Sequence, residues 1–155
     1  MQTFLPFARF DESARALDDR RLGKQRVEAL QILRALTYER YGWKNHPAVR
    51  MWAGYEEALL AYAVAVCREW CARGFADTCE AKMANDAAAA GLARVPRTQD
   101  ELAAAGALPA WLGDEAFHRS HRSALVRKDP EVYRDVFDDV AADLDYVWPG
   151  RTSDG

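Results

Sequence analysis

Residues Leu17 to Leu33 read Leu-Asp-Asp-Arg-Arg-Leu-Gly-Lys-Gln-Arg-Val-Glu-Ala-Leu-Gln-Ile-Leu, and they limit the fold more than any other stretch. Placed on a helix at about 100° per residue, Leu22, Ala29, Leu30, Leu33 and Leu36 share one arc and define an inward face. Asp18, Asp19, Gln25 and Arg26 fall on that same arc, with Arg21 and Glu28 together at its border. A helix whose only task is packing keeps such groups outside, because an unpaired buried charge is costly. Polar groups on the inward side therefore build either a paired structural network or the wall of a cleft.

Helical periodicity continues through most of the chain. Asp11 to Tyr41 reads as one long helix, with Asp11 or Ser13 at its start and Gly42 at its stop. A second runs from His46-Pro47 to about Arg73, before Gly74. Within it Trp52, Tyr55, Leu59, Tyr62, Val66 and Trp70 make one apolar stripe, and Leu60, Val64, Cys67 and Cys71 a second. A helix apolar on two sides belongs at the centre of its domain. Further helices are expected over Asp77–Leu92, Gln99–Ala105 and Asp114 to about Arg127, with Asp129-Pro130 opening a last turn towards Phe137. From Asp143 the chain, carrying Tyr146 and Trp148, reads as an extended tail laid against the rest. No alternating strand pattern persists. The expected fold is all-α: a compact single-domain helical bundle over residues 1–150, with two long central helices, an extended C-terminal tail and loose final residues 151–155.

Composition sets the class. Of 155 residues 50% are hydrophobic and 29% charged, which suits a packed globular chain rather than a disordered one. The three cysteines, Cys67, Cys71 and Cys79, are odd in number and clustered, unlike a secreted disulfide framework. The longest apolar run, Ala58 to Cys67, is about half of what a bilayer span needs, and the amino terminus lacks a signal-peptide pattern. The expectation is a soluble, cytoplasmic protein with no membrane partner. The net charge of −3 is a weak argument against a nucleic-acid partner, but its distribution is uneven. Residues 1–50 carry a net +4 and residues 117–128 four basic groups with no acid, while the segments between and after them are acidic. If the fold joins the two basic segments they form one phosphate-binding face; otherwise they are solvated surface.

Leu17, Asp19, Leu22 and Glu28 match in register the active-site helix of the phage-type pyrimidine-dimer DNA glycosylases with AP-lyase activity, the endonuclease V type. Cys71-Ala-Arg-Gly-Phe75 resembles the end of that family's second long helix, and Leu125, Lys128, Pro130 and Tyr133 resemble its C-terminal spacing. The similarity extends over about two thirds of the chain and is closer still to an actinobacterial branch of relatives. It implies a base-excision N-glycosylase acting on a damaged or modified base in double-stranded DNA, without cofactor or metal. In that family an N-terminal α-amine attacks the sugar C1′ to form a Schiff base, and a glutamate stabilises the cationic intermediate. An α-amine ordinarily titrates near ~8, so much of it is neutral and nucleophilic at working pH. By this resemblance Glu28 and the Met1 amine are the catalytic candidates, and Arg21 and Lys24 the groups that hold phosphate or the leaving group.

Two departures bear on the chemistry. Gln2 is too large for routine removal of Met1, whereas the phage-type enzymes expose a threonine amine. The arginine preceding the family's glutamate is Val27 here, and Arg26, the nearest substitute, points about 100° elsewhere. Glu28 activating water in a monofunctional glycosidase is therefore an alternative to lyase chemistry. So are a catalytically silent nucleic-acid-binding relative and an N-glycosidase acting on a small nucleoside or nucleotide.

Gln25, Arg26 and His46 are further substrate-binding candidates, His46 equally readable as a helix cap. A second cluster holds Trp111, His118, His121, Arg122 and Lys128. A DNA reading gives Arg119, Arg122, Arg127 and Lys128 to phosphates and Trp111 or Phe117 to an extruded base. A metal reading lacks further ligands, with neither CxxC nor HExxH present.

Overall fold

The computed structural model describes residues 1–149, so the expectation for residues 151–155 lies outside the described residues. Among those described there are helices and no strands: α1 (Phe10–Ala16), α2 (Asp19–Thr37), α3 (Pro47–Arg50), α4 (Glu56–Ala72), α5 (Cys79–Ala89), α6 (Gln99–Ala104), α7 (Glu115–Lys128) and α8 (Pro130–Tyr133). No described helix is long and apolar enough to cross a membrane.

The two long helices of the sequence reading are each broken once. The first breaks at Leu17–Asp18, where both residues turn extended, with ψ of 141° and 162°. Asp18 is the N-cap of α2 by position, yet its carboxylate takes the Tyr133 hydroxyl and Arg21 instead of the helix amides. Leu17 is buried by the break. The second helix breaks at Gly54, whose φ of +86° a residue with a side chain adopts only at a cost, and α4 starts two residues later. Both breaks carry local signals, an Asp-Asp pair and a glycine, that the continuous apolar stripe overrode.

Helix α4 sits centrally, packed on α1, α2, α5 and α6. Its crossing with α2 is tight at Gly23, where an added Cβ would lie 2.9 Å from the Trp70 ring. The buried apolar side chains form one cluster, with Trp52, Tyr62, Tyr133, Phe10 and Phe117 its largest fully buried members. At 25 cal/mol per Å2 or so, such aromatic burial is the main stabilising term.

The tail is anchored up to its last described residues. Leu144 N–H donates to Ser123 Oγ and Val147 N–H to Ser120 Oγ, while Arg127 donates to the carbonyls of Ala142 and Leu144. Hydroxyls and a guanidinium on α7 thus replace the backbone partners that an irregular segment lacks.

Candidate active site

The first seven residues are extended and mostly buried, an unusual place for a chain terminus. Their backbone groups are satisfied by side chains from three helices. On one side, Phe4 N–H donates to Gln25 Oε1 at 2.8 Å, and the Tyr62 hydroxyl lies 2.8 Å from Phe4 O and 2.9 Å from Gln25 Oε1. On the other side, Leu5 N–H donates to His121 Nδ1 at 3.0 Å and the His118 Nδ1–H donates to Leu5 O at 2.8 Å. Arg122 Nη1 donates to Pro6 O at 2.8 Å, and Trp52 Nε1–H to Thr3 Oγ1 at 3.0 Å. The two histidines complete Leu5 as a neighbouring strand would.

This grip brings the start of the chain to α2. Gln2 N–H lies 3.4 Å from Glu28 Oε2, which also accepts from Gln25 Nε2 at 2.9 Å. Glu28 is only 8% exposed, yet it lines a hollow of about 410 Å3 together with Met1, Gln2, Phe4, Arg20, Arg21, Lys24, Gln25, His46, Lys128, Tyr146 and Trp148. Its other oxygen has Lys24 Nζ at 3.7 Å, the cation itself out in solvent. One carboxylate oxygen is therefore held from behind by amide donors while the other faces the hollow and the exposed Lys24.

Three neighbours shape the electrostatics. Tyr62 is held well above its ordinary pKa by burial and by the Glu28 charge, so it stays a neutral phenol. His46 is lowered by burial and by the Met1 amine, with Glu28 opposing; its Nδ1 accepts from Ala48 N–H at 3.0 Å, which leaves the ring proton on Nε2. It is thus both the helix cap and a wall of the hollow. Arg21 is pinned by Asp18 at 3.2 Å and Asp129 at 3.4 Å. In Asp18 burial pushes the pKa up, but bonds from Tyr133 and Arg21 outweigh it and lower the carboxyl. Arg20 and Lys128 have no ion-pair partner within 4 Å among the described residues and are available to an anion.

The structure brings together Met1, Arg21, Lys24, Gln25, Glu28, His46 and Lys128 of the sequence candidates. It separates the other five. Arg26 turns the other way, bonded to Asp77 Oδ1 at 2.6 Å and stacked over Trp70. Trp111 donates to Met51 O and packs edge-on to Trp52, so it has no free face at the hollow. His118, His121 and Arg122 are buried against residues 5 and 6, Arg122 also pairing with Glu115 and Asp139. Burial corrects the phosphate contact expected of Arg122 and the substrate contact expected of His118 and His121: their polar atoms hold the terminal segment. Of the two basic segments, Lys128 alone carries the second to the hollow.

Sequence reasoning missed Gln2, Phe4, Arg20, Tyr146 and Trp148 as wall residues. The signal for the last two was an aromatic pair inside an acidic tail. A larger groove of about 600 Å3 between α1, α4 and residues 95–99 has a mainly apolar lining, and its arginines Arg9, Arg15, Arg68 and Arg97 are all ion-paired. No described group of three His, Cys, Asp or Glu is arranged to hold a metal.

A sequence profile of the family described as pyrimidine dimer DNA glycosylase matches residues 1–83, just over half of the chain. No curated protein and no solved structure matches it. The matched residues contain the terminal segment, all of α2 and Glu28.

Proposed function

The chain belongs to the pyrimidine dimer DNA glycosylase family, and from that premise we propose that it excises the lesion with AP-lyase chemistry, using Met1 and Glu28. The observation that carries this reading is one contact: the N–H of residue 2 beside the Glu28 carboxylate, in a water-accessible hollow lined by cations.

The steps follow from that arrangement. DNA phosphates bind Arg20, Lys24 and Lys128 at the rim, and the damaged nucleotide leaves the stack towards Tyr146 and Trp148. Loss of a proton from the Met1 amine makes it nucleophilic. Its nitrogen bonds to C1′ as the C1′–N1 bond breaks, and the electron pair departs with the pyrimidine, which takes up a proton. The sugar ring then opens to an iminium, and Glu28 stabilises its positive charge at short range. Abstraction of a proton from C2′ expels the 3′ phosphate, and water releases the amine. Gln25 positions Glu28, and the neutral Tyr62 behind it supplies a hydrogen bond without a competing charge. The site is read as acting on duplex DNA inside the cell.

A second reading has its own support. The Glu28 carboxylate accepts from the backbone amide of Gln2 and the side-chain amide of Gln25, and its ion-pair partner among the described residues is Lys24 rather than the Met1 amine, which suits a monofunctional enzyme whose Glu28 activates water. Borohydride reduction on dimer-containing and abasic duplexes separates the two. The lyase reading expects a covalent adduct mapping to the Met1 nitrogen, lost on N-terminal acetylation and in Glu28→Gln. Base release with no adduct leaves the water mechanism. Neither release nor strand cleavage on either duplex rejects both.

A further inference from the structure

Trp43 is the most exposed aromatic side chain among the described residues, at 60%, and sits on a backbone with φ +70°. No other described residue besides glycines has a positive φ. A bulky residue in the left-handed region is strained, and such strain collects where a ligand is gripped. Here the surroundings enforce it. Lys44 Nζ, one residue on, donates to the carbonyls of Ala35 at 2.8 Å and of Tyr38, tying the loop to the end of α2. His46 N–H closes back on Trp43 O at 2.9 Å. The indole is therefore held out into water by a loop tied down at Lys44 and His46.

Its direction matters. The Trp43 ring meets His46 edge-to-face at 5.9 Å, His46 meets Trp148 at 6.2 Å, and Trp148 meets Tyr146 at 5.4 Å. Three of these four rings line the hollow, and Trp43 extends the row beyond its mouth. The same mouth carries Arg20, Lys24 and Lys128, which suit a polyanion. A large apolar surface beside phosphate-binding cations matches one chemistry: the face of a nucleobase.

We propose that Trp43 is a stacking wedge, entering the base step that opens when a nucleotide at the lesion is drawn out of the duplex. It is a positioning residue for extrusion and touches no reacting atom. The proposal rests on the DNA-excision reading above. Drawing a nucleotide out of a duplex breaks stacking on both sides, and an indole inserted in the gap restores part of it.

The test compares wild type, Trp43→Ala and Trp43→Phe on two duplexes. One has the pyrimidine dimer opposite adenines; the other has it opposite abasic residues, where pairing is already lost. Both carry 2-aminopurine next to the lesion to report unstacking. On the paired duplex Trp43→Ala is expected to lose about tenfold or more in kcat/KM and to blunt the 2-aminopurine signal. Trp43→Phe retains most of both, and on the gapped duplex the alanine variant stays within about threefold of wild type. Equal rates for Trp43→Ala and wild type on the paired duplex overturn the wedge, as does an equal loss on both duplexes. Wild type inactive on both duplexes overturns the excision reading itself, and the wedge with it. Melting temperature follows folding separately; an exposed indole predicts no loss on truncation.

Discussion

Helices α2 and α7 grip the first seven residues from opposite sides, and both do so with polar groups that a packing helix would keep outside. On α7 the result is closed: His118, His121 and Arg122 hold the backbone of Leu5 and Pro6, and His121 is fully buried. On α2 it is open: Gln25 is spent on the terminal segment, but Glu28 beside it keeps one edge on a hollow. Both sets are polar and buried, and the energetic logic is opposite. Polar groups buried against a backbone specify its position, even with His121 Nε2 and Arg122 Nε left without partners, whereas a buried charge at the edge of a hollow is retained for what comes to meet it. The α7 cluster locates the terminus, and α2 uses it.

The sharpest test of that division exchanges activity for stability. Glu28→Gln keeps the amide contacts and the shape, so base excision is expected to fall by at least about 100-fold. Its unfolding free energy should stay within about 1 kcal/mol of wild type in urea. His121→Ala is the converse. It leaves the Leu5 N–H without an acceptor and a void beneath Phe4, and is expected to cost about 3 kcal/mol. Activity should recover towards wild type under strongly stabilising conditions. An inactive His121→Ala of normal stability would collapse the distinction.

Acid probes the same clamp. Burial, then the neighbouring His118 charge, pushes His121 down to about 3, and burial lowers His118 as well. Both are neutral in the fold, whereas an unfolded chain protonates histidine near ~6.5. The unfolded state thus binds more protons between pH 6.5 and about 3. Stability should fall as pH drops through that window, by up to about 1.4 kcal/mol per unit for His121, and be insensitive to this group above it. The mechanism is specific: protonated Nδ1 would present a hydrogen to the Leu5 N–H it now accepts from. Denaturation midpoints at pH 7, 5 and 4, for wild type and His121→Ala, measure the difference.

The smallest effect separates two members of the second basic segment. Lys128→Ala should leave stability within about 0.5 kcal/mol and lower the slope of log affinity against log salt by about 1. A variant at Arg122, in the same basic run but turned inward, should leave that slope unchanged while destabilising the fold. Fluorescence anisotropy with a labelled duplex at several salt concentrations reads both.

Much of this was legible along the chain. Helical period, the short helix from Gln99 and the Pro130 turn are local properties, set within a few residues by propensity and capping. The anomaly on α2 was legible too, because 100° per residue places Glu28 and Gln25 against the core without any knowledge of partners. Tertiary structure alone decided which polar groups pair. His118, His121 and Arg122 resemble a phosphate-binding patch in sequence, and only the arrival of residues 5 and 6 more than a hundred positions away turns them into a clamp. Tyr146 and Trp148 become walls of the hollow for the same reason: contacts of long sequence separation are selected by the whole packing, and no local pattern encodes the partner.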